Sequence, residues 1–232
     1  LLLITTNRRV RFFYSTINPQ LWGIPRNPLD FNLLRDSNLA RELRQIQITS
    51  IKEMLPSMEQ KAPAHFYLGW HLAEEGRLEE AIVHYRKGIE DEPFNTQSLN
   101  DLGCLLYKAG EYDKALKYLE RSLELRPGFL RALGNSAYVH LAKGQDEKSL
   151  HYFMEVLRVK PDSAEAHYQA GRIGIRLGNP VDAAVHLRQA IRLEPEMAEA
   201  HDSLALVLAT ERQVFDPRWL SLIHISEPTR PY

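Results

Sequence analysis

The sequence predicts an all-α protein, an α-solenoid assembled from tandem 34-residue helix–turn–helix units. Three observations carry this. Pro93, Pro127, Pro161 and Pro195 fall 34 residues apart, and Gly76, Gly110, Gly144 and Gly178 keep the same spacing. Between these marks, apolar residues recur at i, i+3, i+4 and i+7, the period of one helical face. The 232 residues carry 29 Lys and Arg against 30 Asp and Glu, with 44% hydrophobic and 25% charged residues, the balance of a folded chain.

With Ala62 as position 1, the repeats run over 62–95, 96–129, 130–163 and 164–197, and a partial fifth spans 198–212. Positions 4, 7, 8 and 11, in the first repeat His65, Leu68, Gly69 and Leu72, define the buried stripe of the first helix. Positions 20, 21, 24, 27 and 28 define that of the second, as Ala81, Ile82, Tyr85, Gly88 and Ile89, then Ala115, Leu116, Leu119, Ser122 and Leu123. Glycine between the helices suits a helix C-terminus, and the closing proline follows a helix that it cannot continue. Small residues at positions 8 and 20, such as Gly103 with Ala115 and Gly171 with Ala183, let the two helices approach closely. One such hairpin cannot bury its apolar face alone, so neighbouring repeats must stack.

The pattern resembles the tetratricopeptide repeat. Its marks are Leu68, Gly69, Ala81, Tyr85 and Pro93 in the first repeat, and Leu102, Gly103, Ala115, Leu119 and Pro127 in the second. The third departs with Ala137 and Ser149 where Gly and Ala are usual, and the fourth carries Gly174 in place of a large side chain. A soft spot is expected there, since glycine costs about 1 kcal/mol in a helix. The resemblance implies a right-handed superhelix whose concave groove is lined by the first helix of each repeat.

The flanks lack the repeat. Residues 1–35 read as an irregular linker containing Pro19, Pro25 and Pro28, and 36–61 as an amphipathic capping helix plus linker, with Leu39, Leu43, Ile46 and Met54 on its buried side. Leu1–Ile4 followed by Arg8, Arg9 and Arg11 has the charge order of a truncated membrane helix on its cytoplasmic side. A membrane tether upstream of residue 1 is therefore one expectation. The repeats themselves are read as cytoplasmic. Residues 213–232 form an irregular tail, and from Leu220 onward the sequence resembles the translation of a sequencing-library adapter, so 220–232 are taken as non-native.

No enzyme signature emerges. His65, His167 and His201 share position 4 and are expected to pack; no His-Glu-x-x-His or paired Cys-x-x-Cys motif occurs, and Cys104 is the single cysteine. Gly171, Gly174 and Gly178 lack the Lys-Ser/Thr of a phosphate-binding loop. Neither a catalytic residue, a metal nor a cofactor is expected, nor a small-molecule substrate. A pI of about 6.8 lacks the cationic excess of nucleic-acid binders.

By the resemblance, the groove residues are Phe66, Tyr67 and Trp70; Asn100, Asp101, Cys104 and Tyr107; Arg131, Asn135 and Tyr138; and Tyr168, Gln169, Arg172 and Arg176. Aromatics and arginines are common anchors of binding hot spots. The Lys and Asn clamp that some family members place on a C-terminal carboxylate is missing. The position-6 series Tyr67, Asp101, Asn135, Gln169 and Ser203 gives only part of an asparagine ladder. The expected function is a noncatalytic scaffold that holds a protein or peptide in the groove. The alternative is an accessory or substrate-recruiting region of a larger, truncated enzyme such as a glycosyltransferase, and self-association is a third reading.

Overall fold

The computed structural model describes residues 38–214, with side chains over 45–209. The expectations for residues 1–37 and 215–232, including the membrane tether and the adapter-like tail, lie outside them. The chain divides into two units, Leu1–Leu125 and Arg126–Tyr232. All regular structure among the described residues is helical.

The first unit contains α1 (Asn38–Met54), a short 3-10 turn (Leu55–Ser57), α2 (Ala62–Glu74), α3 (Leu78–Asp91), α4 (Thr96–Lys108) and α5 (Tyr112–Leu125). Helices α2 with α3 and α4 with α5 form hairpins, α3 packs on α4, and α1 packs on α2. Leu68, Leu72, Ala81, Leu99, Leu102, Leu106, Ala115 and Leu119 are fully buried, so both predicted stripes form the core. The buried side of α1 differs from expectation. Ile46 is 61% exposed, while Ile48 and Ile51 are buried. Helix α1 carries apolar residues on more than one face, and its contact with α2 selects the face holding Ile48 and Ile51. The side chains of Leu39 and Leu43 lie outside the described residues.

The second unit contains α6 (Leu130–Ala142), α7 (Asp146–Val159), α8 (Ala164–Arg176), α9 (Pro180–Leu193) and α10 (Ala198–Val214). Helices α6 with α7 and α8 with α9 are hairpins, with α7 packed on α8 and α9 on α10. Ala183, Ala184, Leu187 and Val207 form one buried cluster, against which Tyr168, Ile175 and Leu204 pack. Helix α8 runs unbroken through Gly174. A Cβ added there would sit 3.2 Å from the Ala183 Cβ, so α9 occupies the space that a larger residue would need.

Each turn between paired helices ends in the same way. Gly76, Gly110, Gly144 and Gly178 adopt φ of 77°, 78°, 68° and 74°, a left-handed conformation that costs glycine no Cβ clash. In the first, the Gly76 amide donates to the Ala73 carbonyl at 3.0 Å and the Arg77 amide to the Leu72 carbonyl at 2.9 Å. This is the Schellman arrangement, and Glu111, Gln145 and Asn179 repeat the longer bond at 2.9 Å to Leu106, His140 and Gly174. Helix starts are fixed where a capping side chain is available: the Asn95 Oδ1 accepts from the Ser98 amide at 3.0 Å, and the Ser163 Oγ from the Ala166 amide at 3.3 Å.

The third repeat explains its departure from the family pattern. Ser149 is fully buried and its hydroxyl donates to the Ala137 carbonyl at 2.8 Å, which satisfies the polar group that replaces alanine. Ser122 does the same in the second repeat, donating to the Thr96 carbonyl at 2.9 Å.

Candidate partner-binding surface

In the first unit the predicted surface residues separate into two groups. Tyr67 and Trp70 lie one turn apart on α2, with ring centroids 6.3 Å apart, and Trp70 is 45% exposed. Both meet His71 edge-on, at 4.3 and 4.6 Å between centroids. His71 is buried and supports the two aromatic rings from beneath, a role that the sequence reading missed. Burial pushes the Tyr67 phenol up to about 12, so it is a neutral hydroxyl at physiological pH.

Phe66 turns the other way. Its ring lies 6.0 Å from Tyr85 and fills the space left by Gly88, where an added Cβ would collide with it. Phe66 therefore packs inside its own hairpin. Asn100 is 1% exposed and donates through Nδ2 to the Asp101 carboxylate at 3.0 Å; Gln97 donates to the same oxygen at 2.8 Å. Asp101, itself half-buried, thus gathers two donors in a small polar cluster. Cys104 is half-buried, and the half-buried Tyr107 ring lies 5.9 Å from Tyr112.

In the second unit four of the predicted residues, Tyr138, Tyr168, Gln169 and Arg172, join into one network. The Tyr138 hydroxyl donates to Glu165 Oε1, which also accepts from the Gln169 amide at 2.8 Å. The Gln169 carbonyl accepts from Arg172 at 3.2 Å, and the Arg172 guanidinium stands 5.5 Å over the Tyr168 ring. Tyr138 is braced edge-on by Phe153 at 5.3 Å. Arg176 pairs with Asp146 at 2.7 Å. Arg131 is exposed and Asn135 half-buried on α6. The network links α6 to α8 through Glu165, a residue missed as a site because an acidic side chain at a helix start reads as a solvated surface charge.

His65 is buried, in line with the packing role expected at position 4, and the histidines also form pairs that the sequence reading did not anticipate. His65 and His84 bring their Nδ1 atoms within 2.9 Å, and His167 and His186 theirs within 3.0 Å. Each pair joins the two helices of one hairpin. Burial, the neighbouring His65 and the cations Lys52 and Lys87 push His84 down to about 4, with Glu80 opposing. Chiefly burial lowers His65 as well. His201 is exposed and its Nε2 contacts the Pro195 carbonyl at 2.9 Å. Among the described residues there is no group of three or more His, Cys, Asp or Glu placed to hold a metal. Nor is any described helix long and apolar enough to cross a membrane.

Helical hairpins stacked in a 34-residue register, with polar and aromatic residues on their first helices, define a helical-repeat protein. Residues 96–129 and 140–198 match profiles of the tetratricopeptide repeat. These two segments carry tetratricopeptide repeats. No curated protein matches its sequence. Among solved structures it is similar to YrrB, described as a TPR protein with an unusual peptide-binding site, at 23% identity and a TM-score of 0.63, covering 74% of this chain and 87% of YrrB. It is also similar to MamA, at 18% identity and a TM-score of 0.65, covering 72% of this chain and 97% of MamA. For MamA 41-end from Desulfovibrio magneticus RS-1 the values are 20% and 0.63, with 72% and 94% coverage.

Proposed function

We propose that the chain is a noncatalytic protein-interaction scaffold whose first-helix faces hold a peptide segment of a partner protein. The observation that carries this is the braced network of the second unit, in which Tyr138, Glu165, Gln169, Arg172 and Tyr168 restrain one another before any ligand arrives. Side chains already ordered lose less conformational freedom on binding, which leaves more of the contact energy for affinity. The first unit contributes an exposed indole beside Tyr67 and the half-buried carboxylate of Asp101. YrrB, of the same fold, is described as peptide-binding, which supports the same class of ligand here.

Phe66 and Asn100 drop out of the binding set on this reading, because packing occupies both. Tyr67, Trp70, Asp101, Tyr107, Arg131, Asn135, Tyr138, Tyr168, Gln169, Arg172 and Arg176 remain. Random peptides displayed on phage and selected on the immobilised chain should bind the parent and fail on a variant with Trp70, Tyr138 and Arg172 replaced by Ala. Circular dichroism must show that the variant keeps its helices. Equal retention of the selected peptides by parent and variant overturns the assignment.

A further inference from the structure

The two histidine pairs occupy repeat positions 4 and 23. In the intervening repeats those positions hold Leu99 with Tyr118 and Leu133 with Tyr152. The chain therefore uses one of two solutions at this place, an apolar pair or two imidazoles. In the second unit the imidazoles are also oriented. The Nε2 of His167 contacts the Pro161 carbonyl at 3.1 Å, which places the proton on Nε2 and leaves the Nδ1 lone pair facing His186. Metal-bound imidazoles make this same outer hydrogen bond to a carbonyl.

We propose that His167 and His186 chelate a divalent transition-metal ion through their two Nδ1 atoms, pinning α8 to α9. Two imidazole nitrogens each about 2.0–2.1 Å from one ion lie about 2.9 Å apart when they subtend a right angle, and about 3.3 Å at the tetrahedral angle. The observed 3.0 Å fits adjacent corners of a tetragonal ion, the geometry of Cu2+ and Ni2+. Oxygen-seeking Mg2+ and Ca2+ do not suit two imidazoles. His186 releases its Nδ1 lone pair by carrying its proton on Nε2 instead, so no net proton is lost, and water completes the coordination. Each lone pair swings by about 45° from the line joining the nitrogens to meet an ion at that bite angle. Both histidines are half-buried. Asp182 supplies a nearby negative charge.

The first unit provides an internal comparison. His65 and His84 are equally close, but Lys52, Lys61 and Lys87 act on that pair, against Glu80, Glu90 and Asp91. Those six charges balance, so what assigns the site to the second pair is the Pro161 carbonyl that orients His167.

The test is a Cu2+ titration of the full chain at neutral pH with glycine as competitor, read by electron paramagnetic resonance for nitrogen couplings. The expected result is one tight site with two nitrogen ligands. His167→Leu with His186→Tyr installs the pair found in the middle repeats, and should keep the helical spectrum while lowering Cu2+ affinity by about tenfold or more. His186→Gln, the milder second variant, should lose as much. His84→Gln should leave the affinity unchanged. Undiminished binding by either His186 variant, or an equal loss in His84→Gln, overturns the proposal.

Discussion

Replacing Gly103 by Ala tests how closely α4 and α5 are held. In an open helix the change would stabilise by about 1 kcal/mol, since alanine is the better helix former. Here the new Cβ would lie 2.7 Å from Leu119 Cγ, 2.9 Å from Leu119 Cδ2 and 3.3 Å from the Ala115 carbonyl oxygen. Carbon atoms prefer about 3.5–4.0 Å. Cγ is the branch point of a fully buried leucine, so relief requires moving the side chain or the helix. Overpacking of this kind costs about 1–3 kcal/mol, which cancels the propensity gain and leaves a net loss of up to about 2 kcal/mol. Gly134→Ala is the matched control, because nothing lies within 4 Å of its added Cβ, and it should gain about 0.5–1 kcal/mol. Urea unfolding of both variants measures the difference directly. If Gly103→Ala is as stable as Gly134→Ala, α4 and α5 are not packed as described.

Two further outcomes follow from buried polar groups. His84 is held neutral in the fold, with its pKa at about 4 against the ordinary 6.5 of a histidine, so the unfolded chain takes up its proton first as pH falls. Its contribution is present above pH 6.5 and is lost on acidification through about pH 4; because the ring is half-exposed, screening limits it to about 1 kcal/mol. Stability measured against pH should fall less steeply over this window in His84→Gln than in the parent. Ser122→Ala leaves the Thr96 carbonyl without its buried donor and should cost about 1 kcal/mol in denaturant unfolding, whereas no change would show that the bond contributes nothing.

The repeat was legible because its marks are local. A glycine that must take positive φ and a proline that must follow a helix do not depend on what surrounds them, so their spacing gives register and helix limits directly. The side that α1 buries was not legible, because Ile46, Ile48 and Ile51 compete for it and only α2 decides between them. Phe66 was misplaced for a related reason: its direction depends on the room left by Gly88, a residue on the other helix. That signal was present in the sequence as a bulky residue at position 5 against a small one at position 27. The histidine pairs span 19 residues and became visible only when positions 4 and 23 were brought together by the hairpin. Glu165 joined the surface through a hydroxyl 27 residues away, a link that periodicity does not encode.

The four glycine turns are closed by the same main-chain hydrogen bonds, and nothing lies within 4 Å of a Cβ placed on any of these glycines. The closing bond of such a turn uses only the amide of the residue that follows, so it can form with any residue but proline there. Joining Gly110 directly to Gln145 would excise one whole period yet rebuild the same bond to Leu106 that Glu111 now makes. The chain thus carries equivalent splice points at regular intervals, and its length can change by unit steps without new loop chemistry.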